Sequence, residues 1–155
     1  MQPIKTMNIS DTVEQLLQRK GTQVHSITPS ATVYEAIELM AKQNIGALVV
    51  ISNDKVVGIF SERDYTRKIA LKGKSSRETT VQECLSNPVV TVTPEDSIEN
   101  CMLLMTAHRV RHLPVLQGNI VSGVLSIGDL VNWIISAQSQ EIDQLRTFIT
   151  GQYPG

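Results

Sequence analysis

The chain has 155 residues, 41% of them hydrophobic, with 14 basic against 15 acidic side chains and a formal net charge of −1. That length suits one compact domain or two small halves sharing a core, and the near-neutral balance argues against general nucleic-acid or anionic-membrane partners. Cys84 and Cys101 are too few for a disulfide framework; with no signal peptide in MQPIKTMNISD and no apolar run near a membrane span, the expectation is a reduced, cytoplasmic protein.

Thr12–Lys20 reads as a short leading helix. A short strand then precedes Thr28-Pro29-Ser30, which is turn chemistry, and Thr32-Val33-Tyr34-Glu35 has the pattern of a capping box. Val33, Ala36, Ile37, Met40 and Ala41 recur at helical spacing. Two apolar runs, Ala47–Ile51 and Val56–Phe60, flank the polar turn Ser52-Asn53-Asp54-Lys55 and predict a hairpin; another helix opens at Ser61. Leu71–Thr80 is polar and reads as a linker, followed by a second short helix over Thr80–Leu85.

From there the chain repeats itself. Val89–Ile135 aligns without a gap on Val24–Ala70, 65 residues earlier, and 12 of the 47 pairs are identical. Among them are Pro29/Pro94, Met40/Met105, Gly58/Gly123, Ser61/Ser126 and Asp64/Asp129. Ile98, Cys101, Met102 and Met105 take the matching helical places, and Leu113–Leu116 with Ile120–Leu125 make the second hairpin. The last helix opens at Ser126 and runs past the repeat, with Leu130, Ile134, Ile142, Leu145, Phe148 and Ile149 as candidate buried positions. The expected fold is α/β (α+β): two β-α-β-β-α units packed as a pseudo-two-fold pair, with a short leading helix and an extended C-terminal helix. The expected divisions are 1–22 for the leading segment, 23–70 and 87–136 for the repeats, 71–86 for the linker and short helix, and 137–155 for the extension.

Both Ser-x-x-Asp sequences open a helix, where serine is a good N-cap and aspartate can complete a capping box. The same geometry suits a ligand. A helix start offers amides and partial positive charge to a phosphate, Ser61 or Ser126 can add a hydroxyl, and Asp64 or Asp129 can accept from both hydroxyls of a ribose.

The chain resembles a tandem pair of cystathionine-β-synthase-type (CBS) domains, the Bateman module. The resemblance is carried by Gly58-Ile59-Phe60-Ser61-Glu62-Arg63-Asp64 and Gly123-Val124-Leu125-Ser126-Ile127-Gly128-Asp129, and by Arg111-His112-Leu113-Pro114-Val115 with its counterpart Ile45-Gly46-Ala47-Leu48-Val49. It implies adenosine-type ligands (AMP, ADP, ATP, S-adenosylmethionine or NAD(H)) held in clefts between the copies. Carried over by position, Asp64 works with Val110, Arg111 and His112, and Asp129 with Ile45, Gly46 and Ala47. The sites are unequal: Arg63 and Arg111 bring charge to the Asp64 side, whereas Gly128 and Gly46 leave the Asp129 side with room but little charge. The resemblance further implies a homodimer and a client protein under control.

Other chemistries fare worse. His108 and His112 are metal-friendly at i, i+4 only on one continuous helix, and a helix end is expected between them. Gly73-Lys74-Ser75 has Lys68 where a phosphate loop needs its first glycine. No nucleophile–base arrangement points to an enzyme. Arg109, Arg111, Lys72, Lys74 and Arg77 are the cations a nucleic-acid binder would use, but six aromatics and a near-neutral chain do not support one. The expectation is a regulatory, energy-sensing nucleotide-binding module; the alternative is a structural dimerisation or partner-binding module whose Ser-x-x-Asp pairs only cap helices.

Overall fold

The computed structural model describes residues 11–85 and 88–150. Side chains at 139–141, 144 and 147–150 lie outside that description, and with them the expected burial of Phe148 and Ile149.

Helix α1 (Val13–Lys20) is capped by Thr12, whose hydroxyl accepts from the Gln15 amide while the Gln15 side chain accepts from the Thr12 amide. The first unit follows as β1 (Ser26–Ile27), α2 (Val33–Gln43), β2 (Ala47–Ser52) and β3 (Lys55–Ser61). β1 runs parallel to β2, and β2 pairs antiparallel with β3 around Asn53 and Asp54, both at positive φ as a tight hairpin turn requires. α3 is a single turn (Glu62–Asp64) that widens into a π-helical stretch, Tyr65–Ala70. A short 3-10 helix (Val81–Cys84) leads into the second unit: α4 (Ile98–His108), β4 (His112–Gln117), β5 (Ile120–Ser126) and α5 (Ile127–Thr150). One detail differs from expectation. The strand before Thr93 shrinks to a single bridge, Val92 to Val115, so the second sheet is the β4–β5 hairpin alone.

Each unit has its own buried cluster, and the clusters are assembled crosswise. Val33, Ala36, Met40, Leu48 and Phe60 pack with Val81 and Cys84 of the 3-10 helix. Ile98, Cys101, Met105, Leu113 and Leu125 pack with Val13, Leu16 and Leu17 of α1. The helix before the first unit thus completes the core of the second. The same backbone bonds make both joints. Val13 N donates to Asp96 O (2.9 Å) and Ile98 N to Asp11 O (2.9 Å); Val81 N donates to Ala31 O (2.9 Å) and Val33 N to Thr79 O (2.8 Å). These bonds satisfy amides at helix starts that have no partner within their own helix.

The joints explain two of the repeated residues. A Cβ on Gly58 would lie 2.8 Å from Leu85 Cδ2, and one on Gly123 would lie 2.9 Å from Leu17 Cδ1. Each glycine is a seat for the leucine of a leading helix. The stretch expected to be a linker is tied down as well: Tyr34 N donates to Ser76 O (2.9 Å), and the buried Thr79 hydroxyl donates to Ser75 O (2.7 Å).

α5 spans roughly 36 Å at 1.5 Å per residue over its 24 residues. Leu130 is fully buried and Ile134 half-buried, as expected. Ile142 and Leu145 are exposed, because this part of the helix has left the body. With Ile127, Val131 and Ile135 they form one outward apolar stripe. Trp133 faces the other way and fastens α5 to the leading segment. Its indole Nε1 donates to Asp11 Oδ2 (2.8 Å), and the Arg19 guanidinium lies 4.7 Å from the ring centre.

Candidate functional site

In both copies the strand-to-helix corner carries the same reciprocal cap. Asp64 Oδ2 accepts from the Ser61 amide (2.9 Å) and from its hydroxyl (3.0 Å), while Ser61 Oγ accepts from the Asp64 amide (3.2 Å). Asp129 Oδ2 accepts from the Ser126 amide (2.8 Å), and Ser126 Oγ accepts from the Asp129 amide (3.1 Å). The first helical amides are also taken, Glu62 N by Gly46 O (3.0 Å) and Ile127 N by Arg111 O (2.9 Å). The caps and these carbonyls occupy the amides of Glu62, Asp64, Ile127 and Asp129, so an anion arriving here would also draw on the side-chain cations nearby.

Beside the first corner lies a cleft of about 560 Å³. It is lined by Ser61, Arg63 and Asp64 from the first unit and by Val110, Arg111 and His112 from the second. The residues singled out around Asp64 therefore line one cleft. Arg67, Lys68 and Arg109 also line it, and sequence reasoning missed them as site residues. The available signal was the i, i+4 spacing of Arg67 after Arg63 and of Lys68 after Asp64. Lys68 Nζ lies 3.4 Å from Asp64 Oδ1 and donates to Cys84 O at 2.6 Å. Arg67 above all, then loss of hydration and Arg111, pull the Arg63 guanidinium below its usual pKa, with Asp64 opposing them.

The second cleft, about 320 Å³, is lined by Ile45, Gly46, Ala47 and Ser126, with Lys20, His25 and His112. Asp129 does not line it. Lys20 at the end of α1 reaches across, its Nζ 2.5 Å from Asp129 Oδ2 and 2.6 Å from Val124 O. The charge missing from the repeat comparison is thus supplied by the leading helix, and it sits on the carboxylate that a ribose would need.

Gly46 and His112 belong to both clefts. Burial pushes the His112 imidazole below its ordinary pKa; Lys20 and Arg111 act with it, and Asp129 and Asp64 against it. A lowered folded-state pKa means that the unfolded chain takes up the proton first. The stability held by neutral His112 is therefore full above about pH 6.5 and is lost as pH falls from there through the lowered value. The thermal midpoint is expected to drop between about pH 7 and 5, and His112→Gln to flatten that slope. An unchanged slope in the variant would assign the effect to other groups.

His108 ends α4, Arg109 turns the chain at φ 54°, and His112 opens β4, so the two histidines lie on different elements as expected. Among the described residues no group of three or more His, Cys, Asp or Glu is placed to hold a metal ion. Burial pushes the Cys101 thiol up to about 12 and raises Cys84 as well, which leaves both in the unreactive protonated form. No helix among the described residues is long and apolar enough to cross a membrane.

Two repeated units, each with the same capped strand-to-helix corner and with clefts lined by residues of both, define a paired module. The CBS domain family matches residues 13–71 and 81–136, and the chain belongs to it as a tandem CBS pair. The mitochondrial CBS domain-containing protein CBSX3 of Arabidopsis thaliana is 37% identical over 153 residues, covering 93% of this chain and 74% of that protein. The crystal structure of the CBS domain NE2398 is 47% identical with a TM-score of 0.76, covering 81% of this chain and 98% of that one. A CBS-domain protein of Burkholderia ambifaria, provisionally assigned to signal transduction, is 46% identical with a TM-score of 0.77, covering 82% and 96%. In both solved structures the matched region fills nearly the whole chain, leaving no separate catalytic domain there. The chain is accordingly a CBS-pair protein of the regulatory kind.

Proposed function

We propose that the protein is a regulatory module, without catalysis of its own, that binds an adenosine-type nucleotide (AMP, ADP, ATP or NAD(H)) in the Asp64 cleft and signals to a client protein. The observation that carries this is the cleft itself. The first unit brings a carboxylate suited to ribose, and the second brings the Val110–Arg111 backbone leading into β4 at His112, with the Arg111 cation. A ligand there touches both units, so it favours whichever packing of the two it binds better, and only that difference in affinity can shift the balance. The reading places this sensor in the cytoplasm, needs no metal, and has it work as a homodimer. The apolar stripe of α5 (Ile127, Val131, Ile135) is the surface that supports a dimer.

A specific observation favours the alternative at the second cleft. With Lys20 on Asp129, that corner acts as a helix cap and an ion pair, as a structural module would use it.

The test is a thermal-shift panel of AMP, ADP, ATP, NAD, NADH and S-adenosylmethionine on the purified protein. Ligand at a hundred times its Kd stabilises the fold by about 2.7 kcal/mol, a readily measured shift. A response to one or more of these supports the sensor. Silence towards all of them, with an intact dimer, would transfer the reading to a structural or partner-binding module.

A further inference from the structure

The two copies match in their cores and diverge at the cleft. Around Asp64 stand four guanidinium groups, Arg63, Arg67, Arg109 and Arg111, and none of them is in an ion pair among the described residues. The equivalent positions of the other copy are Gly128, Asn132, Asn44 and Gly46, all uncharged. Lys68 is partnered by Asp64, so the pair adds little net charge, and Glu62 is the other acid on the wall. Arg63 already feels Arg67 and Arg111 as repulsion. Holding like charges together works against the fold unless something anionic is meant to enter.

Arg109 adds an independent observation. It sits at φ 54°, in the left-handed region, where the first copy places Asn44 at the same φ. Asparagine suits that backbone and arginine does not. The backbone thus gives no reason for an arginine there, whereas the cleft it lines does.

We propose that Arg67 and Arg109 make the Asp64 cleft selective for nucleoside di- or triphosphates over monophosphates. This rests on the reading that the cleft binds a nucleotide. Arg63 and Arg111 are enough to match the charge of roughly −2 on a single terminal phosphate. Arg67, one turn further along the helix, and Arg109, from the other unit, hold the phosphates beyond the first, where guanidinium forks give paired hydrogen bonds.

The experiment is titration calorimetry of adenosine, AMP, ADP and ATP against the wild type, Arg67→Gln, Arg109→Asn and the double variant. Circular dichroism checks folding, and Arg109→Asn fits its backbone by the precedent of Asn44. The wild type is expected to bind ADP and ATP more tightly than AMP by about tenfold or more, and the double variant to lose most of that ratio. Two results overturn the proposal while leaving the nucleotide reading intact: AMP bound as tightly as ADP and ATP, or a double variant weakened equally for all three. Failure of every nucleotide to bind would overturn both.

Discussion

Replacing Leu16 and Leu17 together with alanine is expected to unfold the second unit while the first is still folded. Neither residue belongs to the second unit in sequence, yet both are buried in its core, and Leu17 also covers Gly123. A buried Leu→Ala change costs about 2–5 kcal/mol through lost transfer energy and the cavity left behind. Two such changes approach the whole stability of a typical domain, about 5–15 kcal/mol. The chain carries its own reporter, because its single tryptophan, Trp133, is bonded to Asp11 at the foot of α1. In a urea titration of the variant, Trp133 fluorescence should change at lower denaturant than far-ultraviolet circular dichroism, splitting the single transition expected of the wild type. A stability loss below about 1 kcal/mol would show that α1 only rests on the surface.

Asp64→Ala is expected to remove nucleotide binding at the first cleft, with Asp64→Asn separating the two duties of this side chain. As a cap, Asp64 accepts from the Ser61 amide and hydroxyl, and its loss costs about 1 kcal/mol of stability. As a ribose acceptor its charged oxygen pair would accept one hydrogen bond from each ribose hydroxyl, each worth about 1.5–3 kcal/mol. Losing both weakens the ligand by about a hundredfold or more. Asparagine keeps an oxygen for the cap but gives up the charge, so Asp64→Asn should melt close to wild type and still bind roughly tenfold more weakly. Asp129→Ala is the internal control: it frees Lys20 and should leave affinity at the first cleft alone. Equal nucleotide affinity in wild type and Asp64→Ala would end the ribose assignment and leave only the cap.

The repeat made much of this architecture legible. A helix end expected near Arg109 separated His108 from His112, and the two do lie on different elements. The resemblance to the CBS pair, carried over by position, put Asp64 with Arg111. The hairpins followed from apolar runs around Asn53-Asp54 and Gly118-Asn119, since turn residues and strand alternation are local signals. What stayed hidden is what locality cannot report. Lys20 meets Asp129 across 109 residues, and Trp133 meets Asp11 across 122. Arg67 and Arg109 escaped for a different reason: they lie outside the segments 58–64 and 111–115 that carry the resemblance, whereas Arg63 and Arg111 lie inside them. The widened turn at Tyr65–Ala70 has no signature that propensity would supply.

The crosswise assembly also orders events on the ribosome. The first core draws on residues 27–85 only, a single stretch that is complete as soon as it has emerged. The second needs residues 13–17 together with residues from 90 to 133. At about 5–20 residues per second, α1 waits on the order of ten seconds for the surface it covers. Through that interval Leu16 and Leu17 are bare and open to whatever holds nascent chains, while the neighbouring repeat matures beside them. The helix made first is the last to dock, and it brings Lys20 to Asp129 when it arrives.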